Sequence, residues 1–305
     1  MTEPARPLFS IVIPVYNYAK VVARAVDSAC GQSGEDYEVI AIDDGSTDDS
    51  AAVLERCAQR WSGRLRVIRQ DNRGLAAVRN RGIDESSGEY LIFLDADDEL
   101  TADALVQLRP AIGTERPAMI IGAHLAVDEQ GREKLHRQRP LPASRHDCFL
   151  GYLRKQFGIS NGAVAMRRTV FERVRYNETL RHAEDIPVFA QILALYDCQA
   201  IAAPLARIHK HAGSMRRDVA AAKRTNLQLL EELFDRGALP QELRRYRNEF
   251  GARRCLSLFR TCYRAGDYAA ALAFYRAAFG FSPRVAGSPK HLFKGLRALW
   301  RRLVR

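Results

Sequence analysis

Tyr90-Leu-Ile-Phe-Leu-Asp-Ala-Asp-Asp98 runs an apolar stretch straight into three carboxylates. A short apolar run of this length, bounded by polar residues, reads as a strand buried on both faces. Working outward, Phe9-Ser-Ile-Val-Ile-Pro-Val15, Tyr37-Glu-Val-Ile-Ala-Ile42, Leu65-Arg-Val-Ile68 and Ala118-Met-Ile-Ile-Gly122 repeat the pattern. The stretches between them carry apolar residues at helical spacing, as in Val21, Val22, Ala25, Val26 and Ala29. Strand and helix alternating at this rhythm predict an α/β fold with a parallel sheet covered by helices on both faces. Ligands of such a sheet sit beyond the C-terminal strand ends.

The unusual residues collect at those ends. Pro14-Val-Tyr-Asn17 follows the first strand, Asp43-Asp-Gly-Ser-Thr-Asp48 the second, and Asp95-Ala-Asp-Asp98 the fourth. Three carboxylates at a buried strand's mouth repel one another unless a cation or hydrogen-bond donors stabilise them. A hard divalent ion such as Mg²⁺ or Mn²⁺ takes oxygen ligands and tolerates a bridging diphosphate. The local alternative is helix capping: Asp97 or Asp98 for a helix starting near Thr101, and Ser46 or Thr47 for one beginning near Asp48. Two acidic strand ends in one sheet favour the ligand-binding reading. Residues 126–160 read as polar and irregular, with Gly131 as a hairpin turn, and a helix with Ile186, Phe189, Ala190 and Leu193 follows Glu184-Asp185.

In order and spacing, Ser10-Ile-Val-Ile-Pro-Val-Tyr-Asn17, Asp43-Asp-Gly-Ser-Thr-Asp48, Asn72-Arg-Gly-Leu-Ala-Ala-Val-Arg-Asn-Arg-Gly82, Asp95-Ala-Asp-Asp98 and Glu184-Asp185 resemble glycosyltransferase family 2. The resemblance runs from Phe9 to about Ser214 and implies a GT-A fold: a mostly parallel sheet flanked by helices, here with a C-terminal helical extension. It implies that Pro14, Tyr16 and Asn17 line a nucleotide pocket. Asp44 would accept a uracil-like N–H, with Asp43 the less favoured candidate. Arg79 would lie near the nucleotide or diphosphate, against the alternative of a surface cation on the helix starting near Leu75. Asp95 would approach ribose and metal, Asp97 would ligate Mn²⁺ or Mg²⁺, and Asp98 would stand in the same shell. Asp185, before Glu184, would be the base that takes the acceptor hydroxyl's proton. Arg207-Ile-His209-Lys-His211-Ala-Gly-Ser214 resembles the family's late segment, in which His209 or His211 would approach the metal. Ser160-Asn161-Gly162 is a candidate for shaping the acceptor site.

The implied reaction is inverting transfer of a sugar from a nucleotide-diphosphate donor, UDP-linked by preference, to a glycan or lipid-linked saccharide in cell-surface polysaccharide biosynthesis. The rival reading is a non-catalytic module that binds nucleotide sugar or membrane within a glycan-assembly complex. A nucleotidylyltransferase would need a Gly-rich phosphate loop after the first strand, and Pro14-Val-Tyr-Asn17 is not one. The Gln-x-x-Arg-Trp motif of the family's processive members has no counterpart, since Gln59-Arg60-Trp61 has the wrong spacing and position.

Composition sets the remaining bounds. Among 305 residues, 47 Lys+Arg oppose 36 Asp+Glu, and the excess is C-terminal: residues 220–305 hold 18 basic and 6 acidic side chains. A boundary near 217/218 is expected between a catalytic domain (1–217) and a basic helical region (218–305). Within the latter, 289–305 places Leu292, Leu296, Leu299 and Leu303 at helical spacing among Lys and Arg. That pattern fits a helix lying on an anionic membrane surface, or one packing its leucines on the domain. Nucleic acid is the weaker fit, because the aromatic residues form no stacking platform. No apolar run is long enough to span a bilayer. Six scattered cysteines without a Cys-x-x-Cys pair suggest a reduced, cytoplasmic protein, peripheral at most on the inner face of the membrane.

Overall fold

The computed structural model describes residues 6–210 and 227–289, with Leu292, Lys294 and Arg297 beyond them. The chain divides into two compact units, one of Met1–Thr179 with Ile192–Ala212, the other of Leu180–Gln191 with Gly213–Arg305.

The first unit is built on a sheet of nine strands among the described residues: β1 (Phe9–Val15), β2 (Tyr37–Asp44), β3 (Leu65–Gln70), β4 (Tyr90–Phe93), β5 (Glu99–Leu100), β6 (Met119–Val127), β7 (Glu133–His136), β8 (Val164–Arg167) and β9 (Cys198–His209). Their order is β3-β2-β1-β4-β8-β6-β9-β5, with β7 on β6. The longer ladders, β1 with β2 and β4, β2 with β3, and β6 with β9, are parallel, whereas β8, β7 and β5 pair antiparallel. The sheet is therefore α/β and mostly parallel, as expected. Every residue of β1 and β4 is buried, which is why their sequences are unbroken apolar runs.

Helices α1 (Val22–Cys30), α2 (Ser50–Arg60), α3 (Leu75–Glu85), α4 (Ala104–Ile112) and α5 (Arg145–Leu153) belong to this unit. Two differ in their starts from the expectation. The helix after β2 begins at Ser50, whose N–H bonds Asp48 Oδ1 at 2.9 Å, so Ser46 and Thr47 are not its caps. The helix after the acidic cluster begins at Ala104, beyond the reach of Asp97 or Asp98 as a cap. Residues 126–160 are less irregular than expected: Gly131, at φ 75°, turns the β6–β7 hairpin, and α5 is capped by Ser144, which accepts from Asp147 N.

The second unit contains the start of α6 (Asp185–Leu195), α7 (Arg247–Arg264) and α8 (Tyr268–Phe281), with a π-helical turn at Glu231–Arg236 and a 3₁₀ turn at Gln241–Tyr246. Phe259, Cys262, Ala271 and Leu272 form one of its apolar clusters, and Cys255, Leu256, Ala278 and Ala286 another. Among the described residues no helix is long and apolar enough to cross a membrane. Most of the expected surface helix, 289–305, lies outside the described residues.

One half-buried carboxylate ties β1, β2 and the turn before β4. Glu38 Oε1 accepts from Ser10 Oγ (2.6 Å), Ser87 N (2.6 Å) and Ser87 Oγ (2.8 Å). Burial alone would raise its pKa, but the bonds from Ser10, Ser87 and Gly88 outweigh it and hold the carboxyl below its usual range. A depressed carboxylate contributes stability above its unfolded value of about 4.3 and loses it as pH falls through the folded value. Glu38→Gln should therefore cost roughly 1–3 kcal/mol at pH 7. In urea unfolding, the gap from wild type should shrink when the pH is taken below 4.

Candidate active site

The C-terminal ends of β1, β2 and β4 meet at one place because the three strands are parallel neighbours. Asn17, after β1, holds a left-handed backbone at φ 60°, a conformation that Asn tolerates better than most residues. Its N–H donates to Ser46 Oγ at 3.0 Å, and its Oδ1 accepts from Thr47 N at 2.8 Å. The β1–α1 and β2–α2 loops are thus tied through one side chain. Pro14 is buried inside β1, whereas Tyr16 stands 45% exposed at the rim.

The two aspartates that end β2 divide otherwise than the sequence suggests. Asp44 is the preferred base contact by resemblance, yet both its oxygens are committed. Oδ1 accepts from Gln70 Nε2 (2.7 Å) and Arg73 N (2.9 Å), and Oδ2 from Gly74 N (2.8 Å). Asp44 fastens the loop that leads into α3. Asp43 Oδ1 accepts from Ser46 N at 3.2 Å, and among the described residues nothing else bonds its carboxylate. Of the pair, Asp43 makes the fewer hydrogen bonds within the chain.

The Asp95–Asp98 segment alternates like a strand: Asp95, Asp97 and Glu99 are half-buried, while Ala96, Asp98 and Leu100 are buried. Arg79 is no surface cation. Its side chain is 1% exposed, its Nη2 meets Asp95 Oδ1 at 2.9 Å, and the ring of Tyr176 lies 5.5 Å from its guanidinium carbon. It acts on this site by holding Asp95. Asp98 turns inward, and its Oδ1 accepts from His209 N at 2.8 Å. One oxygen of its carboxylate therefore caps the end of β9.

Two residues that the motifs do not single out complete this corner. Arg24 of α1 donates from Nη2 to the carbonyl of Asp97 at 2.7 Å and pairs through Nε with Glu99 Oε1 at 3.2 Å. Glu99 in turn meets His209 Nε2 at 2.6 Å. With a carboxylate as the acceptor, Nε2 is the donor in this contact. Arg24 and Glu99 lie 73 and 110 residues from their partners, so no local pattern marks them.

A cleft of about 700 Å³ opens beside this corner, lined by Asn17, Lys20, Arg24, Asp97, Glu129 and His209 among others. Among the described residues no three His, Cys, Asp or Glu side chains form a complete metal-ligand set. The Tyr18 hydroxyl nevertheless registers the local field. Its pKa is raised first by burial, then by the charges of Asp97, Asp95 and Asp98. One or two carboxylates in such a field, short of a full shell, fit a hard divalent ion that takes its other oxygens from a diphosphate and water. Asp97 lines the cleft with His209, and Asp95 stands two residues before Asp97. His211 lies outside the described residues. Glu184, buried, and Asp185 begin α6 in the second unit, where an acidic first turn suits the helix dipole. Asn161, at the loop before β8, is buried, and the neighbouring Gly162 N–H bonds Phe93 O at 2.7 Å.

Residues 10–175 match the family described as "Glycosyl transferase family 2". Over 208 residues the chain is 38% identical to the succinoglycan biosynthesis protein ExoU of Rhizobium meliloti (strain 1021), covering 64% of this chain and 59% of that protein. It is 36% identical over 118 residues to a PGL/p-HBAD biosynthesis glycosyltransferase of Mycobacterium bovis, covering 38% of this chain and 46% of the relative. The chain thus spans between about half and three-fifths of the length of these relatives. Among solved structures, S. aureus TarS 1–349 in complex with UDP-GlcNAc is similar at a TM-score of 0.64 with 19% identity, over 88% of this chain and 81% of that one. A mannosyltransferase of Pyrobaculum calidifontis in complex with GDP-Man and Mn²⁺ is similar at 0.57 with 20% identity, over 97% and 85%. At these identities the likeness is one of fold, and that fold is GT-A.

The two β2 aspartates give a stability test. Asp44→Asn places an amide against three donors and should cost about 2 kcal/mol in urea unfolding. Asp43→Asn, with one long bond to lose, should stay within about 1 kcal/mol of wild type.

Proposed function

The chain belongs to glycosyl transferase family 2, and from that premise we propose that it is an inverting, metal-dependent glycosyltransferase. It moves a sugar from a nucleotide-diphosphate donor to a hydroxyl of a glycan or lipid-linked saccharide in polysaccharide biosynthesis. The observation that carries this reading is the gathering of Asn17, Asp97 and His209 around one cleft, beside the strand ends that hold Asp43 and Asp95. A UDP-linked donor is preferred. The bound nucleotides of the two structural relatives, UDP-GlcNAc in one and GDP-Man in the other, support a nucleotide sugar of either base.

In this reading Asp43 accepts the base N–H, while Pro14, Tyr16 and Asn17 border the nucleotide. Arg79 fixes Asp95 toward the ribose. Asp97 and Asp95, with His209 nearby, would hold Mn²⁺ or Mg²⁺, which would supply positive charge against that developing on the departing diphosphate. Arg24 and Glu99 hold the Asp97 backbone and the His209 ring in place. Asp185, with Glu184 beside it, removes the acceptor hydroxyl's proton as that oxygen attacks the anomeric carbon from the face opposite the diphosphate. One displacement inverts the carbon and needs no covalent intermediate. The relatives' names, which refer to succinoglycan and PGL/p-HBAD biosynthesis, support a saccharide acceptor. A basic C-terminal region on the cytoplasmic face of a membrane would bring residues 1–217 to a lipid-linked one.

The deciding experiment is donor binding and slow hydrolysis across a panel of nucleotide sugars with Mn²⁺, Mg²⁺ or EDTA. One donor should bind in the presence of metal, lose affinity in EDTA and release its nucleoside diphosphate. Asp43→Asn should weaken that binding at least tenfold, a loss of about 1.4 kcal/mol, while the fold persists. Asp185→Asn should keep donor affinity within threefold but lower transfer by about 10²–10⁴. Full activity in both Asp97→Asn and Asp185→Asn, or no binding of any donor, would overturn the reading and leave the non-catalytic module.

A further inference from the structure

Among the described residues, Arg254 has two buried guanidinium nitrogens that meet no acceptor, where Arg24, Arg79 and Arg167 each have such an atom at Nε alone. Arg168 donates from Nε to Gly88 O, from Nη1 to Ile83 O and from Nη2 to Ser86 Oγ, all at 2.8–2.9 Å. Arg79 has Asp95. Arg254, on α7 in the helical second unit, is different. Its Nε and Nη2 are both shut off from solvent and meet no hydrogen-bond acceptor among the described residues.

The surroundings explain why. On its own helix the residues one turn away, Phe250, Gly251 and Leu258, are buried, and Leu230 and Phe281 pack over Gly251. Of the unit's acidic side chains, Glu249 pairs with Arg253 at 2.9 Å and Asp235 with Arg247 through both oxygens at 2.9 and 3.1 Å. Burial lowers the affinity of Arg254 for its proton, and the opposing neighbour is Cys255. Burial pushes that thiol up to about 11, so it is neutral at pH 7 and supplies no counter-charge.

A guanidinium does not give up its proton in a protein, and an unpaired buried cation is costly. A buried polar group left unmet in a folded chain calls for an unseen water or ion. The two unmet donors are not an arbitrary pair. Nε–H and Nη2–H lie parallel along one edge of the planar group, the edge that takes two oxygens of one oxyanion. The residue as a whole keeps part of its surface in solvent. Residues 227–289 carry ten arginines against six acidic side chains, and no acidic residue follows Asp267. Such a field favours a multiply charged anion over a carboxylate.

We propose that the Nε–Nη2 edge of Arg254 is a receptor for a phosphate group, gripped bidentately within the helical C-terminal unit. The phosphate comes either from a lipid headgroup or from a soluble phosphate compound. This site is separate from the strand-end cleft and does not depend on the transferase reading.

Thermal unfolding of the full chain in phosphate-free HEPES, titrated with inorganic phosphate at constant ionic strength, tests it. Wild type should gain about 3 °C or more at saturation, and Arg254→Met should gain nothing. Without phosphate, Arg254→Met should be at least as stable as wild type, since an unpaired buried charge has been removed. Arg254→Lys, which keeps the charge but not the fork, should respond less than wild type. Asp97→Asn should respond in full, which separates this site from the proposed active site. Arg254-dependent binding to phosphatidic acid vesicles, absent with phosphatidylcholine, would identify a lipid source; a response to free phosphate without it would identify a soluble one. An unresponsive wild type, an equal shift in Arg254→Met, or an equal shift with acetate would overturn the proposal.

Discussion

Three carboxylates within four residues, at the mouth of a strand buried on both faces, are the constraint around which the first unit is arranged. Like charges so close would raise one another's pKa or unravel the strand end unless each found a different answer. The fold supplies different ones. Asp95 takes a buried arginine from α3, Asp98 takes a backbone N–H from the end of β9, and the carbonyl of Asp97 is held by Arg24. Removing one partner of a buried pair such as Arg79–Asp95 is costly because the other charge stays behind. The arginine therefore stabilises the sheet and sets Asp95 in place with the same bond.

That arrangement needs β9 to arrive beside β5, and here the sequence is opaque. The strands β1, β2 and β4 are readable because burial on both faces leaves mostly apolar residues in them. Cys198–His209 carries Gln199, Pro204 and Arg207 along its length, and its register against β6 is irregular around Ala123. It becomes a strand through pairing with partners some 80 to 110 residues earlier, a tertiary effect that no local pattern records. By contrast, α5 did leave a local trace. Ser144-Arg-His-Asp147 is a capping arrangement in which Ser144 accepts from Asp147 N and donates to Asp147 Oδ2, and that spacing is readable from sequence.

The site residues follow the same division. Motif order identified the strand-end aspartates as a group, because their clustering at C-terminal ends follows from topology alone. Individual duties were not readable. Asp43 and Asp44 are adjacent and chemically identical, and only the folded loop shows that Gln70, Arg73 and Gly74 consume the second. His209 likewise acquires its partner, Glu99, from the antiparallel pairing of β5 with β9. Arg24 carries no motif, yet it touches both the Asp97 carbonyl and Glu99.

A comparison of the buried arginines ties these observations to the second unit. Where a guanidinium is enclosed in the first unit, the fold has brought it a carboxylate or a set of carbonyls, and the cation then serves as a rigid strut. At Arg254 the buried residues one turn away, Phe250, Gly251 and Leu258, offer no side-chain acceptor. Evolution tolerates a residue of that cost in a marginally stable domain only when something offsets it. Hydrophobic residues of similar volume can replace even paired buried ions without loss of stability, so structure alone gives no reason to keep an arginine there. An anion that comes and goes does. The C-terminal unit is then more than a basic surface: it presents one defined edge of hydrogen-bond donors on a helix embedded in its own core.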